Sequence, residues 1–210
     1  MIEKVLLREE EKNDYFENEN ITREAFWNVY KPGCDEHFLL KKLRDKESFI
    51  KELTLVAVFE NKIVGNIVYS RMFKDDKMSN EIICFGPISV HPDFQKKGIG
   101  SLLINTTSKK AKDLGYKSIF ITGNKNYYKR FGFKPAFDYN IHLEGNKLDD
   151  RAEYFMVKEL EEGYLNKNPG IYNFDKIFFN LSKAEIEEYD KLFPKKIKRE
   201  KKDIDINNSE

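Results

Sequence analysis

The spacing of apolar residues predicts a chain in which strands surround one well-marked helix. Apolar residues recur at positions 99, 102, 103, 111 and 114, with Thr107 in the same register, which is a helical period, and Gly115 is typical of a helix end. Apolar runs on either side of that helix predict strands at residues 54–59, 63–70, 81–90 and 117–122. The last two strands and the helix between them predict a β-loop-α-β unit with parallel strands.

Weaker patterns complete a chain whose β-rich start and central crossover indicate the α+β class. Asp35 is typical of an N-cap for a second helix, and Pro32-Gly33 breaks the helical pattern before it. The other expected elements are a first strand at 2–8, an interrupted helix at 12–30, a hairpin turn at 60–62, a polar loop at 74–80, a short helix at 124–131, and strands near 133–143 and 152–160.

The loop before the central helix has the chemistry of a phosphate-binding turn. A strand that leads through glycines into a helix N-terminus presents free backbone N–H groups to an anion. Gly98 and Gly100 lack a Cβ, so the backbone can adopt a positive φ and a ligand can approach closely. Lys96 and Lys97 add positive charge. The loop matches neither G-x-x-x-x-G-K-[ST] nor G-x-G-x-x-G, so nucleoside triphosphate and dinucleotide sites are not indicated.

Four matches together resemble the GNAT family of N-acetyltransferases, and most closely the YhbS-like bacterial members. The loop Gln95-Lys96-Lys97-Gly98-Ile99-Gly100 resembles the Q/R-x-x-G-x-G/A pattern of that family, and residues 86–92 precede it at the expected distance. Tyr127-Tyr128-Lys129-Arg130-Phe131-Gly132-Phe133 resembles the family's Y-x-x-x-G-F, and residues 154–157 provide a closing strand. The resemblance covers roughly residues 1–180 and is strongest over 54–160.

This resemblance implies a mixed, mostly antiparallel sheet flanked by helices, with acetyl-coenzyme A as the cosubstrate. Its pantetheine arm is expected where Gly86-Pro87 interrupts strand 81–90, paired with backbone groups of Ile88 and Val90. Backbone N–H groups are expected around the pyrophosphate, from Gln95, Lys96, Lys97, Gly98, Ile99, Gly100 and Ser101.

Tyr128 is the residue expected to protonate the coenzyme A thiolate, because it stands four residues before Gly132. A phenol with a pKa of about 10 is protonated at neutral pH, and a thiol pKa of about 8.5 makes the transfer reasonable. Packing beneath the sheet is the alternative role. Tyr127 is interpreted as a packing residue or a cofactor contact, and the register between the two tyrosines stays open.

The general base and the acceptor site are left open by the sequence. Candidates for the base are Glu36, Glu81, His91 and His142. Candidates for an apolar acceptor slot are Trp27, Tyr30, Phe38 and Met72, although helix-spaced aromatic residues more often belong to a core.

Composition narrows the class of protein. The 210 residues are 40% hydrophobic and 35% charged with a net charge of +1, so no overall field attracts nucleic acid, which is not expected as a partner. Two cysteines, Cys34 and Cys84, give no disulfide framework, and Cys84 is expected to be buried and inert. No Cys/His cluster has metal-ligand spacing. The N-terminus has no signal-peptide h-region, and no apolar run reaches 18 residues, so a cytoplasmic protein without membrane spans is expected.

The resulting hypothesis is an enzyme that transfers acetyl from acetyl-coenzyme A to a primary amine by direct attack in a ternary complex. The acceptor is a small molecule or a peptide, and the protein is expected to be a monomer or a homodimer. Expected boundaries are a GNAT domain at 1–160, an ordered extension at 161–193 and a basic flexible tail at 194–210. The alternatives are a non-catalytic acyl-coenzyme A binding module and an acetyltransferase that docks on a protein or ribosomal partner through the tail.

Overall fold

A nine-stranded mixed sheet organises residues 2–200, which are the residues described by a computed structural model. Its strands are β1 (Leu6–Glu9), β2 (Leu55–Phe59), β3 (Lys62–Lys74), β4 (Lys77–Val90), β5 (Ser118–Thr122), β6 (Lys134–Pro135), β7 (Ile141–Leu143), β8 (Phe155–Glu159) and β9 (Gly170–Asn173). They follow the order β1-β2-β3-β4-β5-β8-β6, with β9 paired to both β3 and β7. In the described chain, only β4–β5 and β7–β9 are parallel pairs. The predicted mixed, mostly antiparallel sheet is therefore confirmed.

Helices cover both faces of this sheet. They are α1 (Tyr15–Phe26), α2 (Glu36–Leu43), α3 (Ile99–Asp113), α4 (Lys125–Tyr128) and α5 (Lys183–Asp190). Leu103 of α3 packs in a core with Ile83 and Phe85 of β4. On the other face, Leu40 of α2 packs on Val68 of β3. Strand residues alternate between the two faces, so β3 and β4 are buried on both sides.

The long β3–β4 hairpin corrects the prediction of a polar loop at residues 74–80. The two strands continue to pair out to Lys74 and Lys77, and the turn is only Asp75-Asp76. Both aspartates have positive φ, 51° and 59°, which is the backbone of a type I′ turn. The sequence pattern did not predict this part of the two strands, because it lies beyond the apolar core and its residues are polar.

Two other predicted strands are shorter than expected. A 3₁₀ helix occupies Ile2–Lys4, so the first strand begins only at Leu6. The region near 133–143 contains β6 and β7 with a 3₁₀ helix, Ala136–Tyr139, between them. Asn140 ends that helix in the left-handed conformation, which Asn tolerates.

Residues beyond β8 close the sheet edge and cover α1 and α2. β9 pairs with the tip of β3 through Phe73 and Asn173. Tyr189 of α5 packs with Phe38 of α2. The first part of the expected flexible tail, 194–200, lies along α1, where the Trp27 indole N–H donates to the Ile197 carbonyl at 3.0 Å. The other part, 201–210, lies outside the described residues. Among residues 2–200, the helices are too short or too polar to cross a membrane.

Candidate active site

β4 separates from β5 partway along its length. The two strands pair from Ile82 and Ser118 only as far as Cys84 and Phe120. β4 then carries an extra residue relative to β3, because Tyr69 pairs with Phe85 whereas Ile67 pairs with Ile88. Gly86 lies within this bulge with a φ of 155°, which glycine adopts without a Cβ penalty. The gap between residues 86–90 of β4 and the end of β5 is called here the β4–β5 opening.

Backbone groups of Ile88 and Val90 point into this opening. The His91 N–H donates to the Val64 carbonyl of β3 at 2.9 Å, so by strand alternation the groups of Val90 and Ile88 point to the other side. The Gln95 side-chain amide donates to the Val90 carbonyl at 3.1 Å. Gln95, predicted as part of the phosphate loop, therefore already occupies one lone pair of a group expected to bind pantetheine.

The loop after β4 delivers a helix N-terminus to the mouth of the opening. Lys96 and Gly98 have positive φ, 59° and 88°, and Gly98 is the N-cap residue of α3. The Leu102 N–H donates to the Gly98 carbonyl at 3.0 Å. Three N–H groups precede this first helical bond, those of Ile99, Gly100 and Ser101. Free N–H groups at a helix end can bind an anion, and the binding of a phosphate by these three groups stays a prediction.

The two lysines of the loop differ in their surroundings. The Lys97 ammonium donates to the Asp93 carbonyl at 2.6 Å and lies 5.2 Å from the centre of the Phe94 ring. Lys96 is exposed. Lys97 must leave Asp93 before it can contact a phosphate, whereas Lys96 can contribute charge without breaking a hydrogen bond.

Tyr128 ends α4 beside the bulge. Its ring centre is 5.9 Å from that of Phe85, the residue that precedes Gly86. The hydroxyl makes no hydrogen bond within residues 2–200, and it is not sealed from solvent. Burial raises the pKa of Tyr128 well above its usual value, so the phenol stays protonated. A Cβ on Gly123 would lie 2.5 Å from Cε2 of Tyr128, so glycine is needed there for the tyrosine to approach.

Tyr127, the neighbouring tyrosine, reaches the phosphate loop. A Cβ placed on Gly100 would lie 3.0 Å from the Tyr127 hydroxyl. The Arg130 guanidinium covers the Tyr127 ring at 4.1 Å from its centre. The two tyrosines thus take different positions, Tyr127 at the helix end and Tyr128 at the bulge. The family pattern in the sequence matches Tyr128 and says nothing about the position of Tyr127. The close contact between Gly100 and the Tyr127 hydroxyl is seen only in the structure.

Aromatic side chains from distant segments border the other side of the bulge. A Cβ on Gly86 would lie 3.9 Å from Cε1 of Phe178, which follows β9. Tyr30, in the loop between α1 and α2, is close enough to contribute to the raised pKa of Tyr128. The family resemblance does not point to Phe178, because its segment follows the part of the chain that resembles the family most strongly.

Two of the four predicted acceptor-slot residues belong instead to the core. Phe38 is 3% exposed and Met72 is completely buried. Trp27 is covered by the Arg23 guanidinium at 4.1 Å and by residues 194–200. Tyr30 alone of the four is exposed. The prediction was wrong for Phe38 and Met72 because their apolar faces pack against α5 and the sheet.

Glu81 lies at the wrong end of β4 to act as a general base. Its carbonyl accepts from the Lys117 N–H at 2.8 Å, next to the start of β5. Its carboxylate accepts a hydrogen bond from Tyr164 at 3.2 Å. At about 3.3 Å per residue, roughly 16 Å of strand separates it from Gly86.

The two histidine candidates also make local contacts. The His91 ring accepts from the Asp93 N–H at 3.3 Å and so caps a 3₁₀ helix. His142 lies on β7 beside Asn140, with 3.2 Å between His142 Nε2 and Asn140 Oδ1. Both rings are thus engaged in local contacts, and Glu36 is the remaining candidate from the sequence.

A buried ion cluster beneath α1 and α2 was not predicted. Arg44 binds Glu10 with Nη2–Oε1 at 2.7 Å and Nε–Oε2 at 2.9 Å, and it also binds Glu19. Both glutamates are 3% exposed. Breaking one such buried pair costs several kcal/mol because it leaves an uncompensated charge, so this cluster fixes α1 and α2 on the sheet.

Buried hydrogen bonds connect α1 to the strand segment at the opening. The Asn66 amide donates to the Thr22 hydroxyl at 2.9 Å, and that hydroxyl is also 2.9 Å from the Asn18 carbonyl. The hydroxyls of Thr22 and Ser89 are 3.0 Å apart. Since Ser89 stands between Ile88 and Val90, this chain holds the edge of β4 that lines the opening.

Comparisons with known proteins agree with this architecture. Residues 51–135 match the family described as "Acetyltransferase (GNAT) domain". An uncharacterized N-acetyltransferase of Escherichia coli, YjhQ, is 35% identical over 99 residues, which span 47% of this chain but only 55% of that relative.

The crystal structure of E. coli YhbS in complex with CoA has a TM-score of 0.74 at 20% identity, covering 85% of this chain and 94% of that one. A Brucella melitensis GNAT acetyltransferase in complex with acetyl-CoA has a TM-score of 0.68 at 24% identity, covering 83% and 97%. The structural likenesses show that the chain has the fold of these acetyltransferases, and the sequence similarity to the GNAT family lies in residues 51–135.

Proposed function

We propose that this protein transfers the acetyl group of acetyl-coenzyme A to a primary amine. The observation that carries the proposal is the β4–β5 opening, which ends at the N-terminus of α3. An extended pantetheine arm fits such a strand edge, because it can pair with the outward backbone groups of Ile88 and Val90. Its pyrophosphate then meets the N–H groups at the helix end.

Tyr128 is proposed as the general acid. Its protonated hydroxyl, which makes no hydrogen bond to residues 2–200, lies beside the bulge where the opening begins. When the amine nitrogen attacks the thioester carbonyl, the C–N bond forms, the C–S bond breaks, and the thiolate takes the Tyr128 proton. A proton from the amine nitrogen then restores the phenol. An N–H near Val90 can stabilise the carbonyl oxygen during this attack.

Direct attack in a ternary complex is favoured over an acyl-enzyme intermediate. Cys84 is completely buried, and its burial raises the pKa of its thiol to about 12. Cys34 is 5% exposed, and burial raises the pKa of its thiol strongly as well. A reactive cysteine needs thiolate character and access, and these two have neither.

The first experiment measures the melting temperature with and without acetyl-coenzyme A. Ligand at about 100 Kd should add roughly 2.7 kcal/mol, a shift of roughly 5–10 °C for a domain of this size. The Gly98→Val variant should show no shift, because a β-branched residue is strained at the φ of 88° that Gly98 adopts and the loop must change conformation. An equal shift in the variant would mean that the glycine loop does not bind the cofactor.

Thiol release with a panel of primary amines then separates an enzyme from a non-catalytic binding module. Turnover on any amine supports the transferase, whereas binding without turnover on all of them favours the module. Deletion of residues 194–210 tests whether a protein partner is recognised through the tail. Selective loss of activity on a protein acceptor, with small amines unaffected, would support that alternative.

A further inference from the structure

Different side chains cover the two faces of the bulge in β4. Phe85 lies in the core beneath α3, and its ring centre is 5.9 Å from that of Tyr128. Cys84 belongs to the core on the opposite face, against which Phe178 packs. A Cβ placed on Gly86 would lie 3.9 Å from Cε1 of Phe178. Tyr128 and Phe178 therefore lie beside the same bulge on opposite faces of the sheet.

The β4–β5 opening ends at this bulge. Cys84 and Phe120 are the last paired residues of the two strands, so β4 and β5 are joined on that side of the bulge. In the proposed function, the pantetheine arm runs along β4 from the end of α3, past Val90 and Ile88, and its thioester reaches the bulge. An acyl group at this point cannot continue between paired strands, so it must turn toward one face of the sheet.

The face with Tyr128 is already filled by side chains. Phe85 and Tyr128 are both buried, and the ring centres of Phe85 and Phe133 are 5.9 Å apart. On the other face, Gly86 has no side chain, and Gly86 and Phe178 are only half-buried. The acyl group therefore has space beside Gly86, and the Phe178 ring closes that space.

The space between Gly86 and Phe178 is one methyl group deep. Carbon atoms in contact lie about 3.5–4.0 Å apart, and a carbon at the Cβ position of Gly86 is 3.9 Å from the ring. One carbon thus fits with normal contact, and a further carbon in the same direction would overlap the ring. An acetyl group ends in a single methyl carbon, whereas propionyl and butyryl groups are longer.

The position of Phe178 is fixed by its own segment. It ends a short 3₁₀ helix capped by Asp175, whose carboxylate accepts from the Ile177 N–H at 2.9 Å. The other carboxylate oxygen accepts from the Ser48 hydroxyl at 2.7 Å. The ring itself packs against α2 and β3, and its centre is 5.6 Å from that of Phe174. Phe178 cannot turn aside without breaking these contacts.

We propose that Phe178 determines the length of the acyl group and restricts the enzyme to acetyl-coenzyme A. The proposal rests on the proposed acetyl transfer and names a specificity-determining residue for it. Phe178 acts by overlap alone, since its ring donates and accepts no proton. A longer acyl group must displace the ring or leave the thioester short of Tyr128.

Isothermal titration calorimetry with acetyl-, propionyl- and butyryl-coenzyme A tests the proposal and needs no acceptor. Wild type should bind butyryl-coenzyme A about 10–100-fold more weakly than acetyl-coenzyme A, the range for overpacking by one or two methylene groups. Phe178→Ala should bind these two compounds within about threefold of each other. Phe178→Leu lacks the Cε1 atom but keeps an apolar side chain, so it should accept propionyl-coenzyme A and still discriminate against butyryl-coenzyme A.

Phe179→Ala is the matched control. It removes the same side chain from the next residue, which is 68% exposed and whose ring centre is 6.3 Å from that of Phe174. This variant should keep the wild-type preference for acetyl-coenzyme A. Thermal melting shows whether each variant is folded, and if Phe178→Ala is not, the smaller change in Phe178→Leu decides the test.

The possible results are distinguishable. A loss of discrimination confined to the Phe178 variants supports the proposal. Equal affinity of wild type for the three compounds, or unchanged discrimination in the Phe178 variants, overturns it and leaves the proposed acetyl transfer intact. Loss of discrimination in Phe179→Ala as well also overturns it, because loosening of the whole segment then explains the change. If wild type binds none of the three compounds, the proposed function fails and this inference fails with it.

Discussion

The Tyr127 hydroxyl lies where a side chain on Gly100 would have to go, 3.0 Å from the Cβ position. Tyr127 belongs to α4 and Gly100 to the first turn of α3, so this contact joins the two helices that border the opening. The absence of a side chain at this position leaves room for the tyrosine hydroxyl, and in the proposed function it also lets the ligand approach.

Gly100→Ala should therefore disturb the mouth of the site. The new methyl group must displace the Tyr127 hydroxyl, and overpacking of this kind costs about 1–3 kcal/mol. We expect a lower melting temperature and a Kd for acetyl-coenzyme A raised about tenfold, which corresponds to about 1.4 kcal/mol. Isothermal titration calorimetry and thermal melting measure the two effects.

Tyr127→Phe supplies the control for that substitution. Removing the hydroxyl removes the close contact, and the next atom, Cγ2 of Val90, is at a comfortable 3.9 Å. Gly100→Ala should then have little effect in the Tyr127→Phe background. Equal losses in both backgrounds would mean that the glycine serves only the ligand.

Tyr128→Phe should slow catalysis without weakening cofactor binding. The substitution removes a hydroxyl that makes no protein hydrogen bond among residues 2–200, so stability should change by less than about 1 kcal/mol. We expect kcat to fall about 100-fold, in the range of general acid catalysis, with an unchanged Kd for acetyl-coenzyme A. Because burial raises the pKa of Tyr128, wild type should show no loss of activity from this group as pH rises to about 10. Unchanged kcat in the variant would assign the proton to water or to another residue.

Stability should decrease as pH falls, through His37. This side chain is completely buried, 3.1 Å from Asp190 of α5, and its burial lowers its pKa to about 4. A histidine with a folded-state pKa below its unfolded value of about 6.5 contributes stability fully above pH 6.5. That contribution is lost as pH falls from 6.5 toward 4.

Urea unfolding at pH 7.0, 5.5 and 4.5 measures this effect. Wild type should lose up to about 1.4 kcal/mol per pH unit from this residue. His37→Gln should be less stable at pH 7 and should show a flatter dependence on pH. Parallel curves for the two proteins would exclude His37 as the source.

The sequence located the glycine loop more clearly than the residues on the other side of the bulge, for a physical reason. The phosphate loop depends on local features, which are two glycines and a helix start within six residues. Tyr30 and Phe178, by contrast, are far apart in the chain and come near the bulge only through tertiary packing. In the sequence, Phe38 and Met72 are as plausible as Tyr30 for an apolar slot. Only the structure separates them, because Phe38 and Met72 are buried and Tyr30 is exposed.

The same limit applies to the buried polar groups. In a chain that is 35% charged, the sequence does not distinguish Glu10, Glu19 and Arg44 from charged residues on the surface. Their burial follows from the way α1 and α2 pack on the sheet. A short sequence motif cannot predict such tertiary packing. The tip of the β3–β4 hairpin was missed because its residues are polar. Strand residues at the tip stay paired through backbone hydrogen bonds without any apolar core beneath them.

Thr22 and Ser89 should differ in how much they support the edge of β4, although they share a hydrogen bond. Thr22→Val removes one acceptor of the Asn66 amide, which keeps Asn18 as the other, and it also leaves the buried Ser89 hydroxyl without Thr22, so the cost should be about 1–3 kcal/mol. Ser89→Ala removes one hydroxyl, while Thr22 keeps its partners Asn66 and Asn18, so the cost should be about 0.5–1.5 kcal/mol. Urea unfolding gives both values, and titration with acetyl-coenzyme A shows whether the edge has moved. We expect Thr22→Val to be the less stable variant and to bind more weakly. If Ser89→Ala is the more damaging of the two, Ser89 itself holds the edge, and the chain of hydrogen bonds behind it contributes little.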